Sequence, residues 1–322
     1  MEFNLKISKL ENLYFFISNL AEFHFACRKH FNEEWTSATG ELSENEKSSL
    51  REIKPIFEKY GFDNQKFTYL GRSFYCVDEE DKFNSLKKCL NADEYAKIDD
   101  AFKTFKPRFE RIYDEKLLGE WKNALEKQLT GERFLKFYNS AKYFFSAEED
   151  VQLNVHLLMS PSMLWSASGN ANIGEKDITL EVPVNNLNPE QIELASCVLL
   201  HELAHIWFEK NPNYSYAQDL SRDSFSLLKE VIIDSVSPSG FPAQIYSKAS
   251  NPSKWYLLHN LAEGQKEYRN FTKIENANFQ KLKAYIVWLN LSLTALYFSE
   301  NKKIDKEFIK QVFEIIKKAG CK

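Results

Sequence analysis

Residues 194–208 read LASCVLLHELAHIWF, apolar almost all the way round a helix yet interrupted by His201, Glu202 and His205. A helix with no polar face has to be buried, so the rest of the chain must cover it on every side. Its start is well specified: Asn188 serves as N-cap, Pro189 takes the first position and Glu190 follows. The helix is predicted to run to about Lys210, where Asn211-Pro212 stops it. Burying a carboxylate and two imidazoles costs on the order of several kcal/mol unless each finds a partner. His201 and His205 are four residues apart, so their rings project from one face. This H-E-x-x-H spacing can present two nitrogens to one zinc ion, with Glu202 beside the open coordination position. The competing reading, a core histidine pair beside a satisfied glutamate, demands many partners for three neighbouring polar groups.

Zinc needs a third protein ligand. The metzincin extension would place Gly at 208 and His at 211, but the chain has Phe208 and Asn211. The next predicted helix, from about Ser224 to Val236, offers Glu230 and Asp234 among Leu227, Leu228, Val231, Ile232, Ile233 and Val236. Two like charges on one face of an apolar helix repel each other unless something positive lies opposite. Glu230 as third ligand, with Asp234 bonded to a ligand imidazole, meets that need. Other acids make weaker ligands: Asp219 and Asp223 sit in a polar stretch, and Glu263 and Glu267 form an i, i+4 pair in a polar setting. Cys197, one turn before His201, reads as core packing.

His201-Glu202-x-x-His205 followed by Glu230-x-x-x-Asp234 resembles the gluzincin metallopeptidases, the group that includes thermolysin. The resemblance covers about 60 residues, ending at Val236, and residues 1–145 resemble no family. It implies a zinc held by His201, His205 and Glu230, with Glu202 as general base and Asp234 orienting His201. It also implies a strand ahead of the helix that binds substrate backbone. Two segments qualify, WSASGNA (165–171) and TLEVPV (179–184), and small residues with free edge groups favour the first. The oxyanion stabiliser stays open between Tyr214, Tyr216 and His259, residues of types that are more often packing or surface.

The fold expected is α+β and mainly helical, with a zincin-like catalytic domain over 146–322, a small antiparallel sheet, and a helical N-terminal region over 1–145. Scarce Gly (10) and Pro (9) in 322 residues point to helices over short strands. The N-terminal region carries helical periodicity from Lys9 to His30, Glu41 to Tyr60, Asp81 to Leu90, Asn91 to about Pro107, Phe109 to Leu129 and Phe134 to Phe145. Val151–Leu157 alternates apolar and polar residues as a half-buried strand does, and Pro161 ends it. A hairpin is expected from about Ser166 to Val184, with Pro183 confining its second strand to an edge or a strand end. Further helices are expected near 253–269, 275–299 and 304–319.

With 42 Lys+Arg against 46 Asp+Glu, the net charge of −4 argues against a nucleic-acid partner. The longest apolar run, Ala284 to Phe298, has 15 residues and contains Asn290, Ser292 and Thr294, too short and too polar for a membrane span of about 20. The N-terminus is a poor signal peptide, since Glu2, Lys6, Lys9 and Glu11 break it up. Five scattered cysteines without a CxxC pair fit a reducing compartment. A cytoplasmic protein is therefore expected, with secretion lacking a cleaved signal left open; oligomeric state is not legible.

The function expected is zinc-dependent hydrolysis of a peptide or protein substrate, by a water that the metal acidifies and Glu202 deprotonates. The alternatives are a catalytically inactive zincin-fold binding or regulatory module with a structural zinc, and a metal-free helical interaction protein. The intact Glu202 argues against a purely structural zinc.

Overall fold

The computed structural model describes residues 2–22, 29–63, 66–67, 69–148, 150–161, 168–174, 176–183, 187–211, 213, 222–237, 243 and 279–318. They fall into two compact units, each built from two stretches of sequence: 1–126 with 151–187, and 127–150 with 188–322. The division by pattern at 145/146 therefore does not coincide with the compact units. The strands belong to the first unit, and the helix carrying His201 belongs to the second.

In chain order, the first unit opens with β1 (Glu2–Lys6), α1 (Lys9–Leu20), α2 (Lys29–Thr39) and α3 (Glu44–Gly61). A two-residue ladder follows, β2 (Phe62–Asp63) against β3 (Lys66–Phe67), then α4 (Tyr69–Tyr75), α5 (Lys82–Cys89), α6 (Ala92–Phe109) and α7 (Glu115–Leu129), whose end lies past the unit boundary. The helix expected over 9–30 already ends at Leu20, with Glu22 at a positive φ of 48°. Helix α6 is closed at its start by a reciprocal pair, Asn91 accepting from the Glu94 backbone and Glu94 from the Asn91 backbone. Pro107 does not separate two helices but sits in the last turn of α6, so that helix and α7 are split by 110–114 instead.

The sheet corrects the expected architecture. After α8 (Glu132–Phe144), which belongs to the second unit, come β4 (Gln152–Ser160), β5 (Ser168–Gly174) and β6 (Asp177–Pro183). The strand order is β1-β4-β6-β5. Strands β1, β4 and β6 run parallel, and only β5 pairs antiparallel, with β6. The small antiparallel sheet of a zincin-like domain is therefore not what forms. Two pairings make it so: β6 returns beside β4 in the same direction, with β5 at the far edge, and β1, from a region read as wholly helical, adds a second parallel neighbour across a long crossover. The alternation of Phe3 and Leu5 with Glu2, Asn4 and Lys6 was the available signal, but five residues are little to set against a long helical pattern.

The hairpin expected near 166–184 is present as β5–β6, with an irregularity between Asn170 and Gly174. Strand β6 lies between β4 and β5, so Thr179–Pro183 of TLEVPV is interior and Pro183 simply ends it. Strand β5 terminates the sheet and contains Ser168–Ala171 of the other segment.

Two side chains of α1 attach it to β4. Strand β1 pairs only as far as Lys6 opposite His156. Beyond that point the Asn12 amide takes over: its Nδ2 donates to Leu157 O at 3.0 Å, and its Oδ1 accepts from Met159 N at 2.6 Å. Glu11 faces His156, whose Nδ1 lies 2.9 Å from Glu11 Oε2 and whose Nε2 lies 3.1 Å from Asp177 Oδ1. Lys82 Nζ donates to Glu11 Oε1 at 2.8 Å. Burial opposes a charge on His156, but the two carboxylates prevail and raise its pKa. Buried charges persist only when paired in this way.

The second unit is helical among its described residues: α8, α9 (Pro189–Lys210), α10 (Arg222–Asp234), α11 (Phe279–Ser299) and α12 (Lys306–Lys318). Helix α9 begins where the sequence places it, Asn188 Oδ1 accepting from Gln191 N at 3.0 Å. It is covered from several directions. Trp207 meets Tyr138 of α8 at 5.3 Å between ring centroids, Phe208 tilts on Phe225 of α10, and Leu199, Leu200, Leu203 and Phe208 are wholly enclosed. Asn211 Nδ2 donates to Phe145 O, and Phe144 stacks on Phe298 of α11 at 4.8 Å. Among the described residues no helix is long and apolar enough to cross a membrane. Within α11, Asn290 and Thr294 are fully buried and Leu296 is exposed, which accounts for polar residues inside its apolar run.

Candidate metal centre

His201 and His205 lie on consecutive turns of α9 and face Glu230 near the C-terminal end of α10. Glu230 Oε1 is 3.3 Å from His205 Nε2, and its Oε2 is 3.8 Å from His201 Nε2. The two Nε2 atoms are 3.1 Å apart. Zinc bonds of about 2.0–2.1 Å in a tetrahedron set donor atoms roughly 3.3 Å from one another. The ring–ring and His205–Glu230 separations lie near that figure; Glu230 meets His201 through its other oxygen, and one donor atom from each residue lies within 4.8 Å of the others, so the three residues can converge on one small cation.

The two rings are held differently. His201 Nδ1–H donates to Ser237 O at 2.9 Å and has Asp234 Oδ1 at 3.1 Å. That engagement turns Nε2 toward Glu230 and His205. A ligand imidazole held through its other nitrogen by a carboxylate and a carbonyl has a fixed tautomer and a more basic donor atom. His205 Nδ1 is buried and has no hydrogen-bond partner among the described residues. Both rings, Glu202 and Asp234 are buried, while the Glu230 side chain keeps 22% of its surface exposed.

The charges follow from this arrangement. Burial opposes protonation of His201, but Asp234, by charge and hydrogen bond, together with Glu202 and Glu230 outweighs it and raises the ring to about 9. Burial drives His205 down to about 3, with the His201 charge adding to the depression and Glu230 resisting it. Without metal, one proton therefore sits between the two Nε2 atoms, carried by His201. A metal must displace it, whereas His205 has none to lose near neutrality. Zinc binding is accordingly expected to release about one proton per chain at pH 6, and less as pH rises through about 9. Calorimetry in buffers of different ionisation enthalpy measures this directly. Metal uptake at pH 6 with no proton release would contradict the assigned donors.

Of the residues singled out from sequence, the structure brings together His201, His205, Glu230 and Asp234, with Glu202 next to His201 on α9. Tyr214, Tyr216, Asp219, His259, Glu263 and Glu267 lie outside the described residues, and only the backbone of Asp223 is described, in α10. Cys197 is buried and free, and burial pushes its thiol up to about 12, so it stays protonated near neutral pH. Sequence reasoning missed Ser237, whose carbonyl is the second acceptor for His201. The signal available was the run Ser235-Val236-Ser237-Pro238, small polar residues directly after the acidic pair. Comparison with family models, with curated proteins and with solved structures returns no match for this chain.

Proposed function

We propose that this protein is a zinc-dependent hydrolase acting on peptide bonds, with His201, His205 and Glu230 holding the metal and Glu202 serving as general base. The observation that supports it best is the convergence of two imidazole Nε2 atoms and one carboxylate within reach of a single cation, one ring oriented by Asp234 and Ser237. The reading rests on this constellation and on the resemblance of its spacing to gluzincins, not on the sheet, whose topology differs from the one expected. Bound zinc supplies a Lewis acid that acidifies water and polarises a carbonyl.

The chain's own residues supply the rest. Asp234 and the Ser237 carbonyl hold the His201 Nδ1 proton and keep Nε2 available as a donor. Glu230 brings one negative charge to the two neutral imidazoles, leaving the loaded site with a net charge of about +1 that favours an electron-rich carbonyl. Glu202, buried and adjacent to His201 in the chain, accepts a proton from the attacking water and returns it to the leaving amine. No covalent intermediate with the chain is required.

The test is elemental analysis of the purified chain followed by assay on casein and on a mixed peptide library. The expected outcome is about one zinc per chain and metal-dependent cleavage lost on chelation. A chain that takes up no transition metal even after zinc addition refutes the proposal. A metal-loaded chain that cleaves no peptide supports a structural zinc instead.

A further inference from the structure

Resting on that reading of the site, we infer that Ser237 is a positioning residue for His201, and that α11 takes part in holding the metal centre through Ser235, Asn290 and Thr294. Ser237 is tied at three points. Its N–H donates to Ile233 O at 2.9 Å, its carbonyl accepts from His201 Nδ1–H, and its Oγ donates to Cys197 O at 2.6 Å. Cys197 is four residues before His201, so its carbonyl is the one that the His201 N–H meets within the helix. Ser237 therefore grips both the ring of His201 and the backbone turn beneath it. Nothing in the spacing of the acidic residues requires this: Asp234 alone would fix the tautomer but leave the turn after α10 unattached to α9.

The turn is anchored from its other side by α11. Ser235 Oγ lies 2.9 Å from Thr294 Oγ1 and donates to Ile232 O at 2.9 Å. Asn290 Nδ2 donates to Ser235 Oγ at 2.9 Å and lies 3.3 Å from Thr294 Oγ1. Ser235, Ser237, Asn290 and Thr294 are all fully buried. Asn290 Oδ1 has no hydrogen-bond partner among the described residues, but the hydroxyls of Ser235, Ser237 and Thr294 and the Asn290 Nδ2 are engaged, and in so dry a setting an alternative arrangement would leave more of these groups unpaired. The chain from Thr294 through Ser235 and Ser237 to His201 Nδ1 thus fixes the direction of the donor nitrogen.

The experiment compares zinc affinity, by chelator competition, and the absorption spectrum of the Co(II)-loaded chain for wild type, Ser237→Ala, Thr294→Val and Thr294→Ser. The expected result is zinc binding weakened about 10–100-fold in Ser237→Ala, the range for outer partners of metal ligands. Its Co(II) spectrum should shift. Thr294→Val should weaken binding in the same direction, and Thr294→Ser, which keeps the hydroxyl, should restore it. A role in stability alone lowers the unfolding midpoint of Ser237→Ala but leaves zinc affinity and the Co(II) spectrum of the folded chain as in wild type; that result overturns the inference. If Ser237→Ala does not fold, Thr294→Val decides, and unchanged affinity there overturns it. A wild-type chain that binds neither metal refutes the reading of the site itself, an outcome distinct from wild type binding zinc and Ser237→Ala binding it equally well.

Discussion

Glu202→Gln is expected to keep its zinc and its fold and to lose peptide hydrolysis by about 100-fold or more, the scale of general-base catalysis. Gln matches Glu in volume and removes only the basic oxygen. Glu202 follows His201 by one position, about 100° around α9, so it cannot share the direction in which the two imidazoles converge. It is 8% exposed in an apolar helix, where an ionised carboxylate is costly to keep. Its charge is already felt at the centre, since it helps raise His201. Three roles then separate on three measurements. A general base gives unchanged metal content and collapsed turnover. A structural zinc gives metal in both proteins and turnover in neither. A packing role gives a lower unfolding temperature for Glu202→Gln whether or not metal is present. Equal peptidase activity in the two proteins, both metal-loaded, would place the hydrolysis elsewhere.

Glu230→Ala should weaken zinc binding by more than the roughly 10–100-fold expected for Asp234→Asn, which alters an outer partner only. Among the described residues Glu230 is the carboxylate that faces both Nε2 atoms, Oε1 at 3.3 Å from His205 and Oε2 at 3.8 Å from His201, so its loss leaves two neutral donors. Asp234→Asn leaves the Ser237 carbonyl to hold His201 Nδ1–H, which limits its cost. Glu263→Ala is the control and should bind zinc nearly as wild type does. Equilibrium dialysis of the three variants against zinc settles the order. Loss of the metal in Glu263→Ala, with Glu230→Ala retaining it, would mean that the ligand set is wrong.

Chain-local features of the second unit were readable because each depends on neighbours in sequence. The Asn188-Pro189 start and the Asn211-Pro212 stop of α9 are set by capping and by the missing proline N–H. The facing of His201 and His205 follows from helical period alone, and the burial of α9 follows from an apolar circumference. Even the pairing of α9 with α10 could be argued, because two acids on an apolar face need positive or metal partners.

Tertiary structure decided what depends on residues far apart. Strand β1 pairs parallel with β4 across 150 positions, and β6 pairs parallel with β4 on its other side; together these pairings make the expected antiparallel sheet a largely parallel one. Five alternating residues carry no record of which partner they will find, because strand pairing is settled by hydrogen bonds and burial contributed by the partner. The Glu11–His156–Asp177 cluster is invisible for the same reason, since its members come from α1, β4 and β6. At the candidate metal centre the sequence determined which side chains have the right chemistry, His201, His205, Glu230 and Asp234. Only the fold decided that a backbone carbonyl, that of Ser237, would share the His201 proton and that Asn290 and Thr294 of α11 would hold the turn that carries it. Every residue has a carbonyl, so no side-chain pattern can mark the one that the packing of three helices aims at a ring nitrogen.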